Sequence, residues 1–233
     1  MLNKLKIEIE KSRDDEQAKI LRRFFKTGKG EYGEGDVFLG IKVPIQRKIS
    51  KKYLDLSLSK VKELLKSKIH EYRLIGLLIL LDKYKKSSEK EKEEIFNFYL
   101  NNIRHINNWD LVDLTAPGIV GDFLLNKDKK ILYSLANSEN IWSKRIAIVS
   151  TYNFIRKCEF EDTLTLAEIL LKDNHDLIHK AVGWMLREVG KRDKKILEDF
   201  LKFHYKKMPR TMLRYAIEKF SEEKRKAYLR GEI

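Results

Sequence analysis

Trp109 and Asp113 are the pair of side chains with the clearest chemical potential. They lie in the stretch Asn107-Asn108-Trp109-Asp110-Leu111-Val112-Asp113-Leu114-Thr115-Ala116-Pro117. A spacing of four puts both on one face of a helix. An asparagine at 107 or 108 is suited to accept the first free backbone N–H groups of that helix. Pro117 interrupts the pattern and starts the next helix. The face thus presents an indole beside a carboxylate in a strongly basic chain. A carboxylate placed there is a candidate catalytic group. The other reading is that Asp110 and Asp113 only favour the positive end of a helix dipole, which suits Asp110 better than Asp113, one turn further in.

A second constellation is basic and aromatic. Lys180, Trp184, Arg187 and Lys191 are spaced 4, 3 and 4, forming one stripe suited to a phosphate backbone with a sugar or base against the ring. Gly183, beside Trp184, lets another group approach the backbone. A solvated basic edge with a core tryptophan fits the same residues. Arg145 shares a face with Ile141, Val149 and Tyr152, so its guanidinium must be paired, reach a cleft, or extend to solvent. Arg210 with Arg214, and Arg47 with Lys51, are i, i+4 pairs that either contact phosphates or line a solvated face.

Other motifs lack their context. Gly28, Gly30 and Gly33 spell G-x-G-x-x-G. A charged helix precedes them and no βαβ unit follows, so a flexible turn is the better reading. His175 and His179 are i, i+4 but have no third metal ligand in view. Cys158, the single cysteine, has no triad partner and permits no disulfide within the chain. No metal and no organic cofactor is expected.

The elements that must position these residues are helical. Apolar spacing predicts helices over 2–11, 14–26, 44–54, 58–67, 69–84, 87–102, 108–115, 117–125, 127–137, 140–157, 162–172, 175–190, 192–205, 209–219 and 221–229. Only Val37–Val43 hints at a strand. Helix pairs recur roughly every 35–40 residues, the range of HEAT-type repeats. The expectation is an all-α chain forming a single domain over 1–233, an α-solenoid of HEAT-like helical repeats with an irregular all-α domain as the plain alternative. Lys+Arg is 49 against 35 Asp+Glu, a formal net charge of +14. That balance points to a polyanion, nucleic acid before a membrane surface. The N-terminus lacks the apolar core of a signal peptide, and the longest apolar run, Leu74 to Leu81, is too short to span a membrane. A cytoplasmic, nucleoid-associated monomer is expected.

Four motifs in order, NNWDLVDLTAP, ENIWSKRIAIVSTYNFIR, IHKAVGWMLREVGKRD and MPRTMLRYAIEKF, together with GEGDVFLGIKVPIQRK near the N-terminus, resemble the AlkD-like DNA alkylation repair family. The resemblance runs from about residue 14 to 230. It implies an α-solenoid superhelix of HEAT-like helical repeats whose basic concave face cradles duplex DNA. The implied activity is a DNA glycosylase removing cationic alkylpurines, such as 7-alkylguanine and 3-alkyladenine, without flipping the base into a pocket. The catalytic carboxylate then falls on Asp113, the sugar-lining tryptophans on Trp109 and Trp184, and the active-site arginine on Arg145. Phe24 stands where the family has a site tyrosine, and Asn108 where some members have a tryptophan. The glycine loop is longer than in the best-known members. Phe24, Arg47, Lys51, Lys144, Lys180, Arg187, Lys191, Arg210 and Arg214 are the expected DNA contacts. The partner would be duplex DNA carrying alkylated bases. A non-catalytic HEAT-repeat protein binding distorted or branched DNA is the alternative, and a scaffold for an acidic protein is a third.

Overall fold

The computed structural model describes residues 1–233, and they form helices joined by mostly short connections, apart from the long segment 25–42. The chain packs as two compact units, Met1–Thr115 and Ala116–Ile233. The division falls just before Pro117, at a point where no Pro-, Gly- or Ser-rich linker marks it.

The first unit contains α1 (Leu2–Lys11), α2 (Asp15–Phe24), α3 (Val43–Ser50), α4 (Leu58–Leu65), α5 (His70–Tyr84), α6 (Glu89–Asn101) and α7 (Trp109–Asp113). Local chemistry explains where these begin. The Asp14 side chain accepts from the Gln17 N–H at 2.9 Å. Asp15 and Glu16 then sit in the first turn of α2, and Arg22 and Arg23 in its last, both favourable to the helix dipole. Ser88 and Glu91 form a reciprocal capping box on α6. Pro44 occupies the first turn of α3, where its missing N–H is no loss.

Helix α5 is the centre of this unit. Every residue from His70 to Leu81 is buried, as expected for a helix packed on all sides. Helices α3, α4, α6 and α7 all pack against it. Glu71 on α5 is wholly buried. Its carboxylate accepts the backbone N–H groups of Leu39, Gly40 and Ile41 at 2.8–3.2 Å, which is how a buried charge is made tolerable. Gly40 has φ +87°, and a Cβ there would meet the Asp14 carbonyl oxygen at 2.0 Å.

The second unit opens with a π turn, Pro117–Gly121, that runs into α8 (Asp122–Leu124). It continues with α9 (Lys130–Ala136), α10 (Ile141–Ser150), α11 (Tyr152–Ile155), α12 (Glu161–Leu170), α13 (Asp176–Arg192), α14 (Lys194–His204), α15 (Arg210–Ala216) and α16 (Glu222–Arg230). Here α13 is central, packed on α10, α12, α14 and α15. The group that approaches Gly183 is α15. A Cβ at that position would lie 2.5 Å from both the Met212 carbonyl oxygen and the Tyr215 Cβ. Gly183→Ala should therefore destabilise the protein by about 1–3 kcal/mol. Denaturant unfolding is the measurement, and an unchanged midpoint would mean that α13 and α15 separate freely.

Three expectations are corrected by the backbone. The helix expected over 140–157 breaks at Thr151 into α10 and α11. The helix expected over 117–125 begins as a π turn that ends at Gly121, which comes so close to α10 that a Cβ would meet the Ser150 carbonyl oxygen at 2.2 Å. The Val37–Val43 run forms no strand, only an isolated parallel bridge between Val37 and Ile69.

Candidate active site

Asn108 is the asparagine that caps α7, its side-chain oxygen accepting the Trp109 N–H at 2.8 Å. The short helix then carries Trp109 and Asp113, both half-buried, to the wall of one cavity within the first unit. That cavity has a volume of about 340 Å³. Its lining is mainly aromatic and aliphatic, including Phe24, Phe25, Phe38 and Leu114, with Asp113, Lys42 and Gln46 among the polar residues.

The indole of Trp109 is fixed from several sides. Phe25 stacks on it with centroids 5.1 Å apart and planes 18° apart. Phe38 continues the stack onto Phe25 at 5.0 Å, and the His70 ring stacks on Phe38 at 4.5 Å. Phe24, exposed yet lining the same cavity, meets Trp109 edge-on at 5.8 Å. The Trp109 Nε1–H donates to the Tyr32 hydroxyl at 3.3 Å. The glycine-rich segment expected to be a flexible turn thus holds the indole in place. Gly33 allows the fold-back, since a Cβ there would meet the Phe25 carbonyl oxygen at 2.5 Å.

Behind the stack lies a buried ionic network. His70 Nε2 pairs with Asp110 Oδ2 at 2.8 Å, and His70 Nδ1 faces Asp36 Oδ2 at 3.4 Å. Arg73 Nη2 donates to the same Asp36 oxygen at 2.7 Å, and Asn108 Nδ2 reaches it at 3.4 Å. Burial alone would depress the imidazole pKa. The charge and hydrogen bond of Asp110, with the bond to Asp36, outweigh that effect and hold His70 at about 9. Burial opposes ionisation of Asp36 too, but His70 and Arg73 keep its pKa below the usual carboxylate value. Asp110 therefore does more than favour a helix dipole: it ties α7 to α5 through an imidazolium. Tyr99, fully buried with its hydroxyl 3.1 Å from Thr115 Oγ1, has its pKa raised by burial and further by the charge of Asp113.

The remaining expected residues of the first unit, Arg47 and Lys51, lie on and just after α3, half-buried and exposed respectively. In the second unit, Arg145 is buried, and its Nη1 donates to the Leu177 carbonyl at 2.6 Å. It thereby braces the first turn of α13, the helix that carries Trp184. Trp184 is half-buried, its ring 6.1 Å from that of Tyr152. Several expected phosphate contacts are engaged internally. Lys144 bonds Asp173 and Lys180 pairs with Asp176, each at 2.7 Å. Arg187 pairs with Glu218, and Lys191 with Glu188 at 2.7 Å. Arg210 donates to the Leu229 carbonyl, and Arg214 is exposed. The two histidines are also committed: His175 Nδ1 accepts the Leu177 N–H, and His179 Nε2 bonds the Asp173 carbonyl.

His70, Asp36, Arg73, Tyr32, Lys42 and Gln46 are the site residues that spacing along the chain does not reveal. One signal is present for His70 and Arg73. With Glu71 they head a helix that runs on through the apolar stretch Leu74–Leu81, and charges on a buried face demand partners.

Comparison with known proteins agrees with this architecture. The sequence model of the DNA alkylation repair enzymes matches residues 5–220. No curated protein matches the chain. Among solved structures, a predicted DNA alkylation repair enzyme from Enterococcus faecalis is similar with a TM-score of 0.70 at 18% identity, covering 91% of this chain and 98% of that one. AlkD2 from Streptococcus mutans is similar with a TM-score of 0.57 at 16% identity, covering 89% and 99%. The smu.31 protein of Streptococcus mutans UA159 has a TM-score of 0.56 at 17% identity, covering 77% and 93%. These likenesses concern the fold. With a family match spanning nearly the whole sequence, the chain belongs to the DNA alkylation repair enzyme family.

Proposed function

We propose that the protein is a DNA glycosylase that hydrolyses the N-glycosidic bond of cationic alkylpurines, 7-alkylguanine and 3-alkyladenine, in duplex DNA. One observation carries this reading: the Asp113 carboxylate and the Trp109 indole share the wall of one cavity, with Phe24 beside them. A 7-alkylated guanine already bears positive charge. When its bond to the sugar breaks, the electron pair goes to the base, which leaves neutral and needs no general acid. The positive charge passes to the deoxyribose. Asp113 stabilises that oxocarbenium-like sugar and orients the water whose oxygen bonds the anomeric carbon. Its carboxylate or solvent takes the released proton. The indole of Trp109 adds cation–π attraction to the same charge.

Trp184 is assigned a like contact with the sugar. Arg145 is assigned the lesion strand and, through its bond to Leu177, the placement of the helix bearing Trp184. Arg47, Lys51, Lys144, Lys180, Arg187, Lys191, Arg210 and Arg214 make phosphate contacts, the paired ones by exchanging a carboxylate for a phosphate. One copy of the chain suffices for one duplex.

The test is release of 7-methylguanine from chemically methylated duplex DNA. Tight duplex binding with no release would leave a non-catalytic binder of damaged or distorted DNA. Affinity should also fall steeply with salt, the slope of log K against log [salt] growing by about 0.9 per phosphate neutralised. A flat dependence would contradict phosphate contacts by these cations.

A further inference from the structure

A second pocket of the first unit, of about 250 Å³, is polar and lies apart from the aromatic cavity. Its lining includes Lys68, Arg73, Arg104, His105, Glu34 and Asp36. The two acids are already engaged. Glu34 accepts the Gly30 N–H at 2.8 Å, and Asp36 is shared by Arg73, His70 and Asn108. The cations are not engaged to the same degree. Neither Lys68 nor Arg104 has a carboxylate partner; the Arg104 Nε–H is turned to the His105 ring at 3.1 Å. Arg73 is buried, with Nη1 on the Ser67 carbonyl at 2.9 Å and Nη2 on Asp36, but its Nε–H has no partner. Such an orphaned donor in a charged side chain is costly unless a ligand or a small shift supplies an acceptor. The surrounding field is positive as well: burial, then Arg104, Lys66, Arg73 and Lys62, push the pKa of His105 down. Two cations without carboxylate partners, Lys68 and Arg104, grouped with the half-satisfied guanidinium of Arg73 around a recess, are the donor set of a phosphate site.

We propose that this pocket binds a phosphate group, with Lys68 and Arg104 at its rim and Arg73 in its wall. Two sources share that chemistry, a backbone phosphodiester of duplex DNA and the phosphomonoester of a small molecule. Asn107, also in the lining, is two residues from Trp109, and this favours a DNA phosphate. The proposal rests on the DNA-binding part of the function proposed above and not on base release.

The experiment uses the full chain carrying Lys68→Ala and Arg104→Ala. An equal-charge control carries Lys85→Ala and Lys86→Ala. Both replaced rim residues are exposed, so folding should survive, and circular dichroism checks it. Binding of undamaged duplex is read by fluorescence anisotropy over a range of salt, and inorganic phosphate is titrated while the His105 ring is followed by NMR. A loss of about tenfold beyond the control, with a salt slope shallower by about 0.9 for each phosphate no longer neutralised, assigns the pocket to the DNA backbone. Unchanged duplex binding with loss of a saturable phosphate response at His105 assigns it to a small phosphomonoester. A double variant that matches the control in both arms overturns the proposal. Release of 7-methylguanine by the wild-type protein, run in parallel, succeeds or fails independently of either arm.

Discussion

Asp113→Asn should cut release of 7-methylguanine from methylated duplex DNA by roughly 10²–10³-fold or more, the usual cost of removing one preorganised electrostatic group from a reacting centre. The substitution keeps the size of the side chain and removes its charge. What it removes is therefore attraction to the sugar cation, a species that exists only near the transition state, so the loss belongs in kcat rather than in substrate affinity. Duplex binding should persist or tighten, because a carboxylate near a polyanion opposes binding. Asp113 lies on α7 beside the Trp109–Phe25 stack and is half-buried, so thermal unfolding checks that the variant is folded. Single-turnover base release, duplex affinity and thermal unfolding separate these effects. Wild-type-like release by a folded variant would remove Asp113 from the mechanism.

The second large effect concerns stability. His70 sits between Asp110 and Asp36 with less than a tenth of each side chain exposed. His70→Asn takes away the cation that faces both acids and should cost about 3–5 kcal/mol, the usual penalty for stranding a buried charge. The wild-type protein should also show the linkage. His70 titrates at about 9 in the fold, against an ordinary value of 6.5, so the folded state holds the proton more tightly than the unfolded chain. Its stabilisation is fully present below pH 6.5, declines as pH rises, and is gone once the pH has passed about 9. The total is about 3 kcal/mol at 1.36 kcal/mol per pKa unit. Urea unfolding across that window should show this decline in the wild type, and a smaller decline in His70→Asn. Equal slopes in the two proteins would mean that the imidazole is neutral in the fold.

Part of the aromatic cavity is legible in the sequence because two of its residues are close along the chain. The four-residue step from Trp109 to Asp113 and the asparagine cap follow from local spacing, whereas Phe24 is indicated by the resemblance alone and the Phe25–Trp109 stack joins residues far apart in sequence. The ionic network is not legible, because its bonds join residues 34, 40 and 37 positions apart. No periodicity links such distant positions, and only packing around α5 brings them together. The basic stripe on α13 shows the same limit. That Lys180 meets Asp176 and Lys191 meets Glu188 is written into helical spacing. That Arg187 finds Glu218, 31 residues on, is not. Composition marks the glycine-rich segment only as a connection. Its role emerges from a tertiary bond, the Trp109 indole N–H donating to the Tyr32 hydroxyl.

The carboxylate of Glu71 has a consequence for how the chain can be cut. It is held by three backbone amides from residues 39–41, about thirty positions upstream. A fragment beginning at Pro44 would carry that charge into the middle of the first unit with no donors to meet it, at a cost of several kcal/mol. Residues 39–41 are therefore part of the smallest piece that can fold, and truncations meant to isolate the first unit must begin upstream of Leu39.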